Sequence, residues 1–327
     1  MLEHGGETRA ATARYGNPPQ GWLDLSTGIN PCAYVPPPLP DSAWARLPQE
    51  RDGLEQAAQA YYATADVLPV AGSQAALQAL PRLRARGRVG VLHPGYAEHA
   101  HAWRTAGHEV VALGVEQIEP ALDTLDVLVV MNPNNPTGAR FSRQTLRAWH
   151  ARLARRGGWL VVDEAFIDAD PGASAGTGDM AEGLVVLRSL GKFFGLAGAR
   201  VGFVLAEAGL RSRLREALGP WSVAGPSRLV AAAALRDRAW QEATRQRLPG
   251  EAARLAALLR DADLTPAGGC ALFQWVVTDR AHAWHDALAR RGILARRFAE
   301  PGSLRFGLPG DEGGWGRLAA ALREGCA

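Results

Sequence analysis

The sequence predicts an α/β fold: a large domain built on a mostly parallel, seven-stranded sheet between helices, with a smaller α+β domain beside it in the chain. Three observations carry this expectation. Seven short runs, at 67–70, 88–92, 109–113, 126–131, 159–163, 184–189 and 200–205, are rich in Val and Leu without clean alternation. That is the pattern of strands buried on both faces of a largely parallel sheet. Helical stretches such as 142–156 separate several of them. After about residue 220 the pattern changes to long Ala/Leu/Arg helices over 227–260, a strand at 271–277, a helix at 281–291 and a strand near 303–307.

The first forty residues read differently. Gly5-Gly6, Gly16-Asn17-Pro18-Pro19 and Pro36-Pro37-Pro38 exclude a continuous helix or central strand. Trp22, Leu23, Leu25 and Ile29 are embedded among them, so 1–40 reads as an irregular arm that covers another part of the molecule.

Composition excludes several classes. The 36 basic and 33 acidic side chains leave a net charge of +3 on 327 residues, far from the basic field of a nucleic-acid binder. Apolar residues at 47% and charged residues at 21% are globular rather than disordered composition. Cys32, Cys270 and Cys326 are too few and too scattered for a disulfide framework, and point to a reducing compartment. No apolar run approaches the ~20 residues of a spanning helix. No basic segment precedes an apolar one at the start, so the cytoplasm is the expected location. His93, His99 and His101 form only a loose cluster, and no metal is expected there.

Open α/β sheets bind ligands beyond the carboxyl ends of their strands, so the residues after each run matter most. Gly72-Ser73-Gln74 follows the first run and opens a helix. It reads as an ordinary N-cap at Ser73 or as a phosphate cradle. The string Asn132-Pro133-Asn134-Asn135-Pro136-Thr137-Gly138 is a rigid loop with several amide side chains, suited to a ligand. Asp163 ends a hydrophobic strand and needs a cationic partner. It is no Walker B acid, because the Gly191-Lys192-Phe193 segment fails as a phosphate-binding loop. A dinucleotide fingerprint is also missing. Lys192 is a lone lysine in an Arg-dominated chain, flanked by glycine and apolar residues, which suits a Schiff-base amine.

Together the strand-end Asp, the Asn loop, the lone Lys with Ser189 and Arg200 beside it, and the Gly-Ser helix start resemble the fold type I pyridoxal-phosphate enzymes, the class I/II aminotransferase group. The resemblance runs from His4 to about Gly307. It implies pyridoxal 5'-phosphate as cofactor and a homodimer with a small-molecule substrate. It also implies a division into an arm that joins the small domain (1–40), a cofactor-binding large domain (41–220) and a C-terminal small domain (221–327). By that resemblance Lys192 is the catalytic amine and Asp163 the partner of the pyridine nitrogen. Asn135 serves the phenolic oxygen, and Tyr96, in His93-Pro94-Gly95-Tyr96, stacks on the ring. Gly72, Ser73, Gln74, Ser189 and Arg200 hold the phosphate. Departures from the pattern are Phe166 in place of a common Tyr, Gly191 in place of Ser or Thr, and Arg46-Leu47-Pro48 where relatives often carry a Tyr.

Within that family the ends of the chain are informative. His4-Gly5-Gly6, the segment Asp24 to Pro31, Asp163 to Asp168, and Pro220-Trp221-Ser222-Val223 resemble the branch that decarboxylates L-threonine O-phosphate for cobalamin synthesis. The alternative is a histidinol-phosphate-type or other aminotransferase. The resemblance makes Arg305 the residue for the substrate carboxylate. Arg296, His4, Gly6 and Asn30 serve the phosphate end, with the arm as a lid. The substrate is then a small phosphorylated amino acid, with neither nucleic acid nor membrane as partner.

Overall fold

The computed structural model describes residues 3–326. Its contacts group into two compact units. One comprises the chain up to Ala33, Pro136–Ala139 and Ala243 onward; the other comprises Tyr34–Asn135 and Arg140–Glu242.

A short strand, β1 (Leu23–Leu25), comes first. Seven more follow: β2 (Val67–Val70), β3 (Arg88–Leu92), β4 (Glu109–Leu113), β5 (Val127–Met131), β6 (Trp159–Asp163), β7 (Leu184–Ser189) and β8 (Gly202–Leu205). They form one sheet in the order β2-β8-β7-β6-β5-β3-β4. Strands β4, β3, β5, β6 and β7 are parallel. Only β8 runs against its neighbours β7 and β2. Six strands therefore end at one edge of the sheet, and β8 begins there. Every residue just after β2, β3, β5, β6 and β7, and every residue just before β8, is delivered to that edge.

The predicted class and the mostly parallel seven-stranded sheet are both present. β5 and β6 are buried along their whole length, which is why their sequences lack alternation. Edge strand β4 is partly exposed. The helix Arg143–Ala154 shows how local sequence sets an element. Ser142 caps its start by accepting from Thr145 N–H at 3.0 Å, and Leu146, Trp149 and Leu153 form its buried stripe. The helical stretch expected over 227–260 is two helices, Gly225–Arg236 and Arg238–Arg260. The first packs on helix Leu54–Tyr62, where Arg228 pairs with Asp52 at 2.7 Å and Glu55 at 2.9 Å. That packing places it with the seven-stranded unit, whose last segment ends at Glu242 rather than near residue 220.

The other unit holds β9 (Gly268–Cys270), β10 (Phe273–Val277), β11 (Ile293–Phe298) and β12 (Ser303–Gly307) with β1, in the order β1-β11-β12-β10-β9. The register puts Arg296 directly across from Arg305. The arm is more regular than its composition suggests. It contains helix Thr8–Tyr15, and β1 pairs in parallel with β11. Ala11 packs with Ala289 and Leu294, flanked by Tyr15 and Trp22. A short helix with one buried residue leaves almost no periodic signal.

Among the described residues no helix is long and apolar enough to cross a membrane. In strand β3 a Cβ on Gly90 would lie 2.7 Å from Cδ1 of both Leu113 and Leu125. Gly90→Ala therefore overpacks the sheet, and is expected to cost about 1–3 kcal/mol and lower the thermal midpoint by roughly 2–10 °C. Calorimetry of the variant against the parent protein checks this.

Candidate active site

The edge where the six strands end collects the chemistry of the larger unit. Asp163 closes β6 and is 3% exposed. Such a carboxylate must be paired or hydrogen-bonded. One oxygen meets His99 Nε2 at 2.9 Å, and the other accepts the Ala165 N–H at 3.0 Å. His99 stands on helix Ala97–Thr105, three residues after Tyr96 and one helical turn in. Sequence alone grouped it with two other histidines. The structure instead buries it behind Asp163, and among the described residues no group of His, Cys, Asp and Glu could hold a metal.

Tyr96 stands edge-on to the His99 ring, with centroids 5.9 Å apart. Its hydroxyl donates to Gln74 Oε1 at 3.3 Å, and Gln74 Nε2 donates to Glu98 at 2.9 Å. Burial first, then Glu98 and Asp163, pushes the Tyr96 phenol up to about 12, so it stays neutral at physiological pH. Gln74 thus braces the aromatic through its side chain.

The start of helix Ser73–Ala79 corrects one expectation. The N-cap is Gly72, not Ser73, and no side chain caps this end. Gly72 has φ +74, which favours glycine, and a Cβ there would lie 2.6 Å from Arg200 Nη2. Arg200 itself adopts a left-handed backbone at φ +52 just before β8, which turns its guanidinium toward Gly72. An uncapped helix start, a guanidinium beside it and the Ser189 hydroxyl at the end of β7 are the donor set for a phosphate. The site thus fits the phosphate of pyridoxal phosphate, and the buried Asp163 fits its ring nitrogen.

The Asn loop divides its labour. Asn132 trades two hydrogen bonds with the Phe141 backbone, at 2.9 and 3.1 Å. Asn134 Nδ2 donates to Pro94 O at 2.8 Å, tying the loop after β5 to the loop after β3. Asn135 is the half-buried one of the three. Pro136–Ala139 belong to the other unit.

Lys192 is half-buried, with Nζ 5.5 Å from the centroid of the buried Phe166 ring. The residues after it, Phe193 and Phe194, are fully buried and pack on Trp240. Hydrophobic burial on either side thus fixes the backbone at Lys192. Gly191, where a hydroxyl residue is common, donates its N–H to Ser189 Oγ at 3.2 Å.

Behind the edge lies a group that sequence did not single out. Arg188, on β7, is 2% exposed. It reaches Glu164 at 3.2 Å and Ser174 Oγ at 3.1 Å, and also pairs with Asp168. Tyr61 donates to Asp168 at 3.1 Å, and the guanidinium sits 4.4 Å from the Tyr62 ring centroid. Burial pushes the Glu164 carboxyl up against the opposing pull of Arg188. Burial pulls Arg188 down, but Asp168 and Glu164 outweigh it and its net direction is up.

The smaller unit gathers the cations expected to hold substrate. Arg305 is 6% exposed and donates to Ser26 O at 2.6 Å. Burial first and Arg296 second push it down to about 10, still cationic at neutral pH. Arg296 donates to the carbonyls of Glu3 and His4 at 2.6 and 3.1 Å. The Gly6 N–H is taken by Ser26 Oγ at 2.8 Å. The Asn30 amide oxygen accepts from Arg247 at 3.0 Å and from the Cys32 N–H at 3.1 Å. Ser26 entered the sequence reading only as part of the segment Asp24 to Pro31, and Arg247 was not foreseen, because it acts through a long-range contact.

The model of the family described as "Aminotransferase class I and II" matches residues 47–324. A threonine-phosphate decarboxylase of Pseudomonas aeruginosa is 60% identical over 98% of this chain and 97% of its own. One from a Sinorhizobium species is 41% identical over the same shares. Among solved structures, a histidinol-phosphate aminotransferase of Sinorhizobium meliloti in complex with pyridoxal-5'-phosphate aligns with TM-score 0.85 at 20% identity, covering 99% of this chain and 95% of that one.

Two outcomes follow from this geometry. Gly72→Val is expected to weaken retention of a phosphate-bearing cofactor at least about tenfold, since the added carbons take the guanidinium's place. Visible absorbance remaining after dialysis measures it. His99→Leu removes the side-chain partner of the buried Asp163, and is expected to cost about 1.5–3 kcal/mol of stability, the worth of a hydrogen bond to a charged group. Thermal melting against the parent protein reads that loss.

Proposed function

The chain belongs to the class I and II aminotransferase family, and from that premise we propose that it is a pyridoxal-phosphate-dependent carboxy-lyase converting L-threonine O-phosphate to aminopropanol phosphate and CO2. The observation that carries this reading is the near-full-length likeness to the Pseudomonas decarboxylase. The likeness to solved aminotransferases, at about a fifth identity, speaks for the fold alone.

Pyridoxal 5'-phosphate, when bound, supplies an aldehyde for the substrate amine and an electron-withdrawing ring that takes up the electron pair left as CO2 departs. The chain's residues have separate tasks. The N–H groups of Gly72, Ser73 and Gln74, with Ser189 and Arg200, hold the cofactor phosphate. Asp163 keeps a proton on the pyridine nitrogen, and His99 holds that carboxylate in place. Tyr96 covers the ring and Asn135 serves its phenolic oxygen. Lys192 Nζ would hold the cofactor at its aldehyde and would carry the proton delivered to the substrate Cα.

Arg305 binds the substrate carboxylate, and Arg296 with His4 binds its phosphate end. Gly6 and Asn30 stand at the same end, where the Gly6 N–H meets Ser26 Oγ and the Asn30 amide oxygen accepts from Arg247. A phosphate dianion and a carboxylate on one small molecule need several charge-assisted donors, which two facing arginines supply. The product is a phosphorylated amino alcohol, the piece required for the nucleotide loop of cobalamin. The protein works in the cytoplasm as a homodimer. Val35, Trp44, Leu47 and Trp221, large apolar side chains left exposed, support self-association.

Incubation of the holoenzyme with L-threonine O-phosphate is expected to release CO2 and aminopropanol phosphate in equal amounts. Conversion of the cofactor to its amine form without CO2 would instead establish transamination. Lys192→Ala is expected to abolish turnover and the visible absorbance of the bound cofactor. Near-parental turnover in that variant would remove Lys192 from the mechanism. Asp163→Asn is expected to retain cofactor and lose well over tenfold in kcat, more than about 1.4 kcal/mol of transition-state stabilisation.

A further inference from the structure

Helix Thr8–Tyr15 is a lever about 12 Å long. Its leading end carries His4 to Gly6, and its trailing end carries Tyr15. Ala11 is the one buried residue along it, so polar ties add to that small apolar contact in placing it. One is the Trp22 Nε1–H donated to Thr12 Oγ1 at 2.8 Å. The others converge on one carboxylate. Asp286, on helix Ala281–Arg290, accepts from the Tyr15 hydroxyl at 2.5 Å and pairs with Arg14 at 3.3 Å. His285 and His282 stand 3.6 and 4.0 Å from the same carboxylate. Burial and the Asp286 hydrogen bond push the Tyr15 phenol up to about 12, so it remains a donor at neutral pH.

The leading end is held differently. Arg296 grips the backbone carbonyls of Glu3 and His4, residues whose own side chains are exposed. Where the arm lies therefore sets where His4 and the Arg296 guanidinium lie. Beneath the helix is a cavity of about 210 Å³, with Glu3, His4 and Arg296 at its lining alongside Tyr15, His285 and Asp286. Both ends of the lever thus border one space. The same helix that carries Asp286 leads through Gly292 into β11, which carries Arg296.

We infer that Asp286, acting through Tyr15, is a positioning residue for substrate choice: it locks the arm helix at the angle at which His4 and Arg296 receive the phosphorylated end of the substrate. This rests on the proposed phosphate reading by His4 and Arg296. Asp286 touches no substrate. It decides how well the phosphate is recognised.

The test uses holoenzyme of the parent protein, Tyr15→Phe, Asp286→Asn and the double variant. Turnover of L-threonine O-phosphate, spectral titration with L-threonine and with L-threonine O-phosphate, and melting midpoints are measured for each. The parent binds the phosphorylated ligand far more tightly. Each single variant raises KM for L-threonine O-phosphate roughly five- to twentyfold, the effect of one charge-assisted hydrogen bond, with kcat within about twofold. Affinity for L-threonine stays as in the parent. The double variant is no worse than the worse single, because Tyr15→Phe deletes the contact that Asp286→Asn deprives of its charge. Equal weakening of both ligands, additive effects, or a lowered melting midpoint with affinities unchanged would each overturn the positioning role. A parent enzyme that does not prefer the phosphorylated ligand would overturn the phosphate reading beneath it. That outcome is visible before any variant is made.

Discussion

A carboxylate at the end of a fully buried strand is tolerable only if the fold provides partners, and Asp163 obtains two. One is a backbone N–H two residues on; the other is an imidazole from a different element. The second requires helix Ala97–Thr105 to lie against the edge where β6 ends. That in turn orients Tyr96, and through Gln74 it links this helix to the start of Ser73–Ala79. The arrangement is one connected set of hydrogen bonds, in which the buried charge dictates where its neighbours stand. Low local dielectric strengthens every bond in such a set and penalises any omission.

The next residue in the chain carries a second buried charge away from the first. Glu164 belongs to the group around Arg188, in which one guanidinium faces two carboxylates beneath Tyr61 and Tyr62. Successive residues of an extended chain point to opposite sides, so Asp163 and Glu164 serve different neighbourhoods although adjacent. The Arg188 group secures the turn that follows β6, including the buried Phe166 whose ring lies near the Lys192 amine. Burial of ions of this kind is weak evidence for stability, but loss of one partner leaves an uncompensated buried charge and is strongly destabilising.

The smaller unit manages charge by another route. Arg305 is buried, donates to a backbone carbonyl and lies over an aromatic ring. Arg296, opposite it in the sheet, is occupied by carbonyls of the arm. Two cations facing each other across neighbouring strands repel, and that repulsion is relieved when an anion arrives. The arm is therefore part of the electrostatics of this unit as well as its cover.

Much of this was legible in the chain itself. The seven buried runs, the residues that follow them and Lys192, the only lysine in the sequence, are local features, and parallel strands oblige their trailing residues to share an edge. The family motifs are short and contiguous for the same reason. What sequence left open depends on residues far apart in the chain. His99 belongs to Asp163 rather than to the neighbouring histidines, and Tyr15 finds Asp286 across 271 residues. The arm's helix and strand were hidden because one buried alanine and three strand residues carry no periodicity. Sequence determined the elements and the chemical groups, since propensity and burial pattern act within a few residues. Tertiary structure alone decided which buried charge meets which partner, because burying a charge is settled by whatever side chain the fold brings to it.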